Sequence, residues 1–326
     1  MAKESEPTMT RRCFFFCTVV LALSPRVARV RAADEGVLRL AGTETLIAWM
    51  QQVGLGYSGQ QPGMTLHTEK IGADHLVSAL LAGGIDGALL PRPVSENELT
   101  LARVAKKLDL RTYPVALGAV LVIVNRSNPI ESISVDQVGK LLSQAVVTWQ
   151  QLEVKTTGTP LAMPKARRTE DGQDQAEETP SPIMVLVPSS GLGTDEWLRR
   201  RTLGLAAISP HVRRANSSAE MVQLVSENVR AIGFVALPVP EGVKAIPVRA
   251  HKNGPAVPPQ PGTIGARNYP LTHYVYVVTS DAPTTPLRDW MAFLLSEEGQ
   301  RTMTAEKGLL PLSVLENSGA AHPATK

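Results

Sequence analysis

The chain has 326 residues, 43% of them hydrophobic, enough for two core-bearing domains of ordinary globular composition. It carries 33 basic and 30 acidic residues, but residues 1–32 hold six of the basic and two of the acidic ones. The remainder therefore has 27 and 28, a net of −1, which excludes the basic footprint of a nucleic-acid binder.

Arg11 and Arg12 precede an apolar run from Cys13 to Leu23, and small residues follow at Ala32 and Ala33. That is the layout of a secretory signal peptide over residues 1–32, with Val30 and Ala32 suited to the −3 and −1 positions. The run is about half the length that spans a bilayer, so cleavage after Ala32 is expected over an uncleaved anchor. Glu4 and Glu6 are unusual in such a leader; a start at Met9 instead of Met1 removes them. Both cysteines, Cys13 and Cys17, lie in the leader, so the mature chain has no disulfide and no thiolate metal site. Phe14–Phe16 spoil a lipoprotein site, and no lipid anchor is expected.

Strand and helix patterns then alternate. Val37–Ala41 reads as a strand, followed by a helix with Leu46, Trp49, Met50 and Val53 on one face and Thr43 or Thr45 at its start. Gly54-Leu55-Gly56-Tyr57-Ser58-Gly59 has the letters G-x-G-x-x-G but follows a helix, not a strand, and reads as a helix stop and loop. A second helix is expected near Asp74–Ala82, ended by Gly83-Gly84, then a strand Ile85–Leu90 stopped by Pro91 and Pro93. Asp86 in that strand reads as a hydrogen-bonded structural residue.

Val115–Asn125 is nearly all apolar and Val-rich: a strand buried on both faces, or two strands in succession. Ser134-Val135-Asp136-Gln137 is a capping box opening a helix. Residues 153–182 are charged and aperiodic and read as an exposed, disordered insertion. Ile183–Val187 is the next strand, running into Pro188-Ser189-Ser190-Gly191-Leu192-Gly193-Thr194 and a helix start. Further strands are expected at Ile232–Leu237, Ala245–Val248 and Tyr274–Thr279. Leu287, Trp290, Met291 and Leu294 mark a closing amphipathic helix, and the tail 316–326 has no period. The alternation implies an α/β class with largely parallel sheets.

Six segments in one order resemble the phosphate-binding proteins of bacterial ABC transporters. They are Ala41–Leu46; Leu81–Pro93 with Gly84-Ile85-Asp86 and Arg92-Pro93; Val122–Asn125 with Asn128-Pro129 and Trp149–Leu152; Ala231–Val235; Tyr269-Pro270-Leu271; and Ser296–Gln300 with Gly308–Leu312. The resemblance implies a two-lobed type II periplasmic-binding-protein fold with mostly parallel sheets flanked by helices and a ligand cleft between the lobes. It places lobe 1 in 33–115 and 266–315, and lobe 2 in 116–265 with the insertion 153–182.

Such a site holds an oxyanion without metal or cofactor, through helix N-terminal amides, hydroxyls and an arginine. The resemblance puts ligand contacts at Thr43, Thr45, Leu46, Gly72, Arg92, Ser189, Ser190, Gly191, Gly193 and Thr194. The chain departs from the pattern in the second turn, where Pro188 stands at the position of the family's arginine and Leu192 at that of its serine. Arg92 is open between ligand contact and a structural ion pair. The turn at 189–194 is open between a ligand-facing role and strand-to-helix punctuation.

Six scattered histidines without an H-E-x-x-H spacing give no metal site, and no G-x-S-x-G elbow or P-loop is present. The expected function is therefore a non-enzymatic, periplasmic, monomeric binding protein for inorganic phosphate or a similar oxyanion, serving an ABC transporter permease. The alternative is the same fold with a degenerate anion site, working through protein contacts. A phosphate-ester hydrolase is the third reading, opposed by the lack of a nucleophile–base or metal constellation.

Overall fold

A computed structural model describes residues 36–58, 61, 63–146, 148–152, 182–189, 193–303 and 308–312. The leader, residues 153–181 of the expected insertion and the tail lie outside the described residues, as do Ser190 and Gly191. Along the chain run β1 (Val37–Gly42), α1 (Glu44–Ser58), β2 (Thr65–Lys70), α2 (Ala73–Leu81), β3 (Gly87–Leu90), α3 (Glu96–Leu101) and β4 (Leu110–Asn125). Then come β5 (Ile133–Ser134), α4 (Val135–Leu142), α5 (Trp149–Leu152), β6 (Met184–Pro188), α6 (Thr194–Leu203), β7 (Arg213–Ala215), α7 (Ser218–Glu227) and β8 (Ala231–Ala236). The chain continues through β9 (Val243–Ala245), β10 (Val248–Arg249), α8 (Pro261–Gly265), β11 (Thr272–Ser280), α9 (Thr285–Leu295) and α10 (Glu297–Arg301).

One mixed sheet has the order β2-β1-β3-β11-β4-β8-β6-β7, with β9 also paired to β4, and a two-stranded sheet joins β10 to β5. The pairs β1·β2, β1·β3, β6·β7, β6·β8 and β5·β10 are parallel, and those made by β11 and the second half of β4 are antiparallel. The apolar run at 115–125 is one strand serving two partners. Its first half pairs with β11, its second half with β8 and β9. Val120–Val124 are fully buried, which is why both faces are apolar. The register with β11 shifts at Val275/Tyr276, opposite Pro114, whose ring nitrogen has no proton to give to the ladder.

The apolar core changes partners within β4. Val115 and Ala116 pack with α1, β1 and α9, whereas Leu117 and Ala119–Val124 pack with α4, α6, β6 and β8. Tyr269 and Leu271, just before β11, belong to the second set.

Several local expectations meet the structure directly. Ser134 Oγ accepts from the Gln137 amide (3.2 Å) and Gln137 Oε1 from the Ser134 amide (2.8 Å), the reciprocal box read from the sequence. Asp86 Oδ2 accepts from the Arg39 amide at 2.8 Å.

Two expectations need correction. Gly54 does not stop its helix: α1 runs on to Ser58. A Cβ there would lie 2.3 Å from Leu66 Cδ2, so glycine is present to let β2 approach the helix. The expected strand Ala245–Val248 is broken into β9 and β10 on different sheets, with Pro247 between them; the Pro247 carbonyl accepts from Ile133 N instead.

Candidate functional site

Three helices begin around one small cavity. Its described lining includes Thr45 in the first turn of α1, Thr194 at the start of α6, and Ser217 and Ser218 at the start of α7, closed off by Pro188, Met221 and Phe234–Ala236. The first intrahelical bond of α1 runs from Ile47 N to Thr43 O, so the amides of residues 44–46 precede the ladder. Each such terminus offers unladdered N–H groups and the positive end of a helix dipole. Four hydroxyls beside three termini make a donor-rich pocket suited to an oxyanion. The cavity measures about 10 Å³, the room one water needs.

Closure is tight beside it. Gly193 caps α6 in the left-handed region (φ +79°), and a Cβ there would sit 2.9 Å from Thr43 Cγ2 and 3.2 Å from Pro91 Cγ. The start of α6 is thus pressed against the start of α1 and the end of β3.

The expected residues divide into three groups. Thr45 and Thr194 line the cavity, whereas Gly193 does not line it but precedes Thr194 and packs against Thr43. Thr43, 2% exposed, supplies the carbonyl that opens α1. Leu46 puts its side chain in the core. Gly72 caps α2 and is not among the lining residues, and Ser189 donates its hydroxyl to Asn216 Oδ1 at 2.9 Å while its amide extends the β6–β7 pairing. Ser190 and Gly191 lie outside the described residues.

Arg92 takes the ion-pair role. Its Nη1 and Nη2 donate to the two carboxylate oxygens of Glu98 at 2.8 and 2.9 Å, its Nε to Glu196 Oε2 at 2.8 Å, and Nη1 also to the Pro93 carbonyl. Arg92 follows β3 and Glu196 lies on α6, so this pair ties the two halves of the sheet together. Burial by itself would lower the guanidinium pKa, but the bonds to Glu98 and Glu196 raise it.

Burial likewise pushes Glu98 up, while its bonds from Arg92 and Ser95 bring it below the usual 4.5. A lowered carboxylate contributes stability above its unfolded pKa and loses it as pH falls through the lower folded value. The contribution of Glu98, read as the difference in urea-unfolding stability between the wild type and Glu98→Gln, should therefore hold from pH 7 to about 5 and shrink below about 4.5.

Sequence reading missed two features. Ser217 and Ser218 escaped because α7 was not singled out, although Ser217 caps it by accepting from the Glu220 amide at 3.1 Å. Arg214 was hidden by topology. It pairs in parallel register with Val187, and its Nη1 donates to the Pro188 carbonyl (3.1 Å) and to Asp195 Oδ2 (3.3 Å). An arginine from the neighbouring strand thus reaches the backbone of Pro188, although it is not among the residues lining the cavity. Asp195 is buried, which raises its pKa; the Glu196 amide and Arg214 oppose that, and Asp74 adds to it.

A family model described as a PBP superfamily domain matches residues 29–298. The phosphate-binding protein PstS of Pseudomonas aeruginosa is 24% identical over 307 residues, covering 90% of each chain. A crystal structure of a candidate phosphate ABC transporter substrate-binding protein with bound phosphate, from Clostridium perfringens, superposes with a TM-score of 0.66 at 17% identity, over 85% of this chain and all of that one. An ABC-type phosphate transport receptor from Vibrio cholerae gives 0.64 at 19% identity, over 84% and 99%. These likenesses show a type II PBP-like α/β fold with a mixed sheet flanked by helices.

Proposed function

The chain belongs to the PBP superfamily, and from that premise we propose that it is a periplasmic solute-binding protein for phosphate or a related oxyanion, delivering it to an ABC transporter permease. The convergence of three helix N-termini and four hydroxyls on one cavity carries this reading. The relatives' names point to phosphate as the first oxyanion to try. In this reading the two halves of the sheet are lobes divided near residues 115 and 265, β4 and the segment before β11 are the crossings, and the protein works as a monomer without metal, cofactor or catalytic step.

Arg214 is the cation in this reading, with Asp195 set beside it as its resting partner. An anion entering the cavity takes up the helix-terminal donors and exchanges for part of that pair. The Gly193 turn separates from Thr43 to admit the anion, and the two press together again around it once it is bound.

Calorimetric titration with phosphate, sulfate and molybdate tests the proposal. Thr45→Ala should weaken phosphate binding by about 1–3 kcal/mol, the loss of one donor to a charged acceptor. A null titration with all three oxyanions would overturn it. The second reading, a fold working through protein contacts with a degenerate anion site, would then stand, supported by the cavity of only about 10 Å³ and by Pro188 in place of arginine.

A further inference from the structure

We propose that a larger cavity, beside the strands that join the two halves of the sheet, is a second anion site, for a small organic polyanion bearing carboxylate or phosphate groups. It encloses about 350 Å³, within the roughly 300–1,000 Å³ range of small-molecule sites and far above the space at Thr45. The two cavities share no lining residue.

Arg201, from the last turn of α6, and Arg267, from the turn after α8, both line it, and none of its lining residues among the described ones is acidic. Two planar guanidinium forks call for an oxyanion with more than one charged group. Arg201 is anchored through Nε to the Pro270 carbonyl at 3.3 Å. Arg267 has a left-handed backbone (φ 58°), a conformation that costs a non-glycine residue about 1–2 kcal/mol. That backbone sets its guanidinium beside Tyr274, donating to the phenol oxygen and standing 6.0 Å from the ring centroid. The contact with Tyr274 holds the charge beside the cavity.

The cavity's inner wall supplies a second, independent observation. Thr272 Oγ1 and His273 Nδ1 are buried and have no hydrogen-bond partner, a state that costs about 1–3 kcal/mol per group and that folded proteins seldom retain. Burial lowers the His273 pKa to about 4, so at neutral pH its ring is uncharged, with one donor and one acceptor nitrogen. An anionic solute in the cavity meets the arginines directly, while Thr272 Oγ1 and His273 Nδ1 lie behind the surface of its wall.

Trp197 stands against His273 with ring centroids 4.9 Å apart and therefore reports on this cavity. The full chain, held in saturating inorganic phosphate, is titrated with citrate and separately with pyrophosphate, followed by tryptophan fluorescence and by calorimetry. At least one titrant should bind saturably at about millimolar concentration or below. Binding should persist in Thr45→Ala and weaken at least about tenfold in Arg201→Gln and in Arg267→Gln, the equivalent of about 1.4 kcal/mol. Arg201→Lys, which keeps the charge but loses the fork, should fall between. Both arginines are exposed, so unchanged urea midpoints should accompany the loss. Stronger citrate binding assigns a polycarboxylate ligand, stronger pyrophosphate binding a phosphorylated one. No saturable signal with either titrant, binding unchanged in the Arg201→Gln/Arg267→Gln double variant, or binding abolished by Thr45→Ala would each overturn the proposal. Because the Thr45 site is read separately, failure of phosphate binding there leaves this result unaffected.

Discussion

Arg92→Ala should lower the unfolding free energy by about 3–5 kcal/mol, the range for removing one partner from a buried ionic network. Arg92 is 6% exposed and its two carboxylate partners keep only 18% of their side-chain surface. Truncation leaves Glu98 and Glu196 facing each other without the cation, and desolvation sets the cost. Glu196 keeps a contact to Arg200 at 3.0 Å, which offsets part of its share, whereas Glu98 keeps only Ser95. Urea unfolding of the variant checks the value. Adding Glu98→Gln and Glu196→Gln to Arg92→Met should recover most of the loss, since neutral groups carry no uncompensated charge. A loss under about 1 kcal/mol, the value for exposed pairs, would mean that water reaches the network freely.

Gly193→Val should weaken oxyanion binding by about 30-fold or more. The left-handed backbone at Gly193 (φ +79°) costs a residue with a Cβ about 1–2 kcal/mol, and a β-branched side chain tolerates it worst. Its Cβ would also meet Thr43 Cγ2 at 2.9 Å and Pro91 Cγ at 3.2 Å, an overpacking cost of about 1–3 kcal/mol. The overpacking part alone, at about 2 kcal/mol, corresponds to about 30-fold, since each 1.4 kcal/mol is tenfold in affinity. The steric part exists only while the start of α6 is pressed against α1. The steric part therefore falls on affinity, whereas the backbone part falls on stability whether or not the ligand is bound. Gly193→Ala should show a smaller loss of the same kind. Equal phosphate affinity in Gly193→Val and wild type would show that this contact plays no part in holding the ligand.

The local elements were legible because their causes are local. The Ser134 box is a matter of residues three apart, the core face of α1 follows from Leu46, Trp49, Met50 and Val53, and Asp86 could be read as structural because it immediately precedes an otherwise apolar strand. The run at 115–125 announced burial on both faces but could not say that one strand would serve both halves of the sheet. Apolar pattern records burial and not the identity of the neighbour. The helix stop expected at Gly54 failed for a related reason: a glycine that makes room for Leu66 is indistinguishable, in sequence, from one that ends a helix.

The sequence by itself determined the alternation of strands and helices, the glycine-bearing turn before α6, and the donor types at Thr45 and Thr194. These depend on propensity, periodicity and capping, all of which act over a few residues. Only the tertiary structure decided where the charges go. Arg92 is drawn to Glu98, 6 residues away, and Glu196, 104 residues away, whereas Arg214 reaches the Pro188 carbonyl from 26 residues away because β6 and β7 lie side by side. Ser217 joins Thr45 and Thr194 for the same reason. A long, flexible cationic side chain carries no periodic signature. Its partner is chosen by Coulomb attraction and desolvation among whatever groups the packed backbone has already brought within reach.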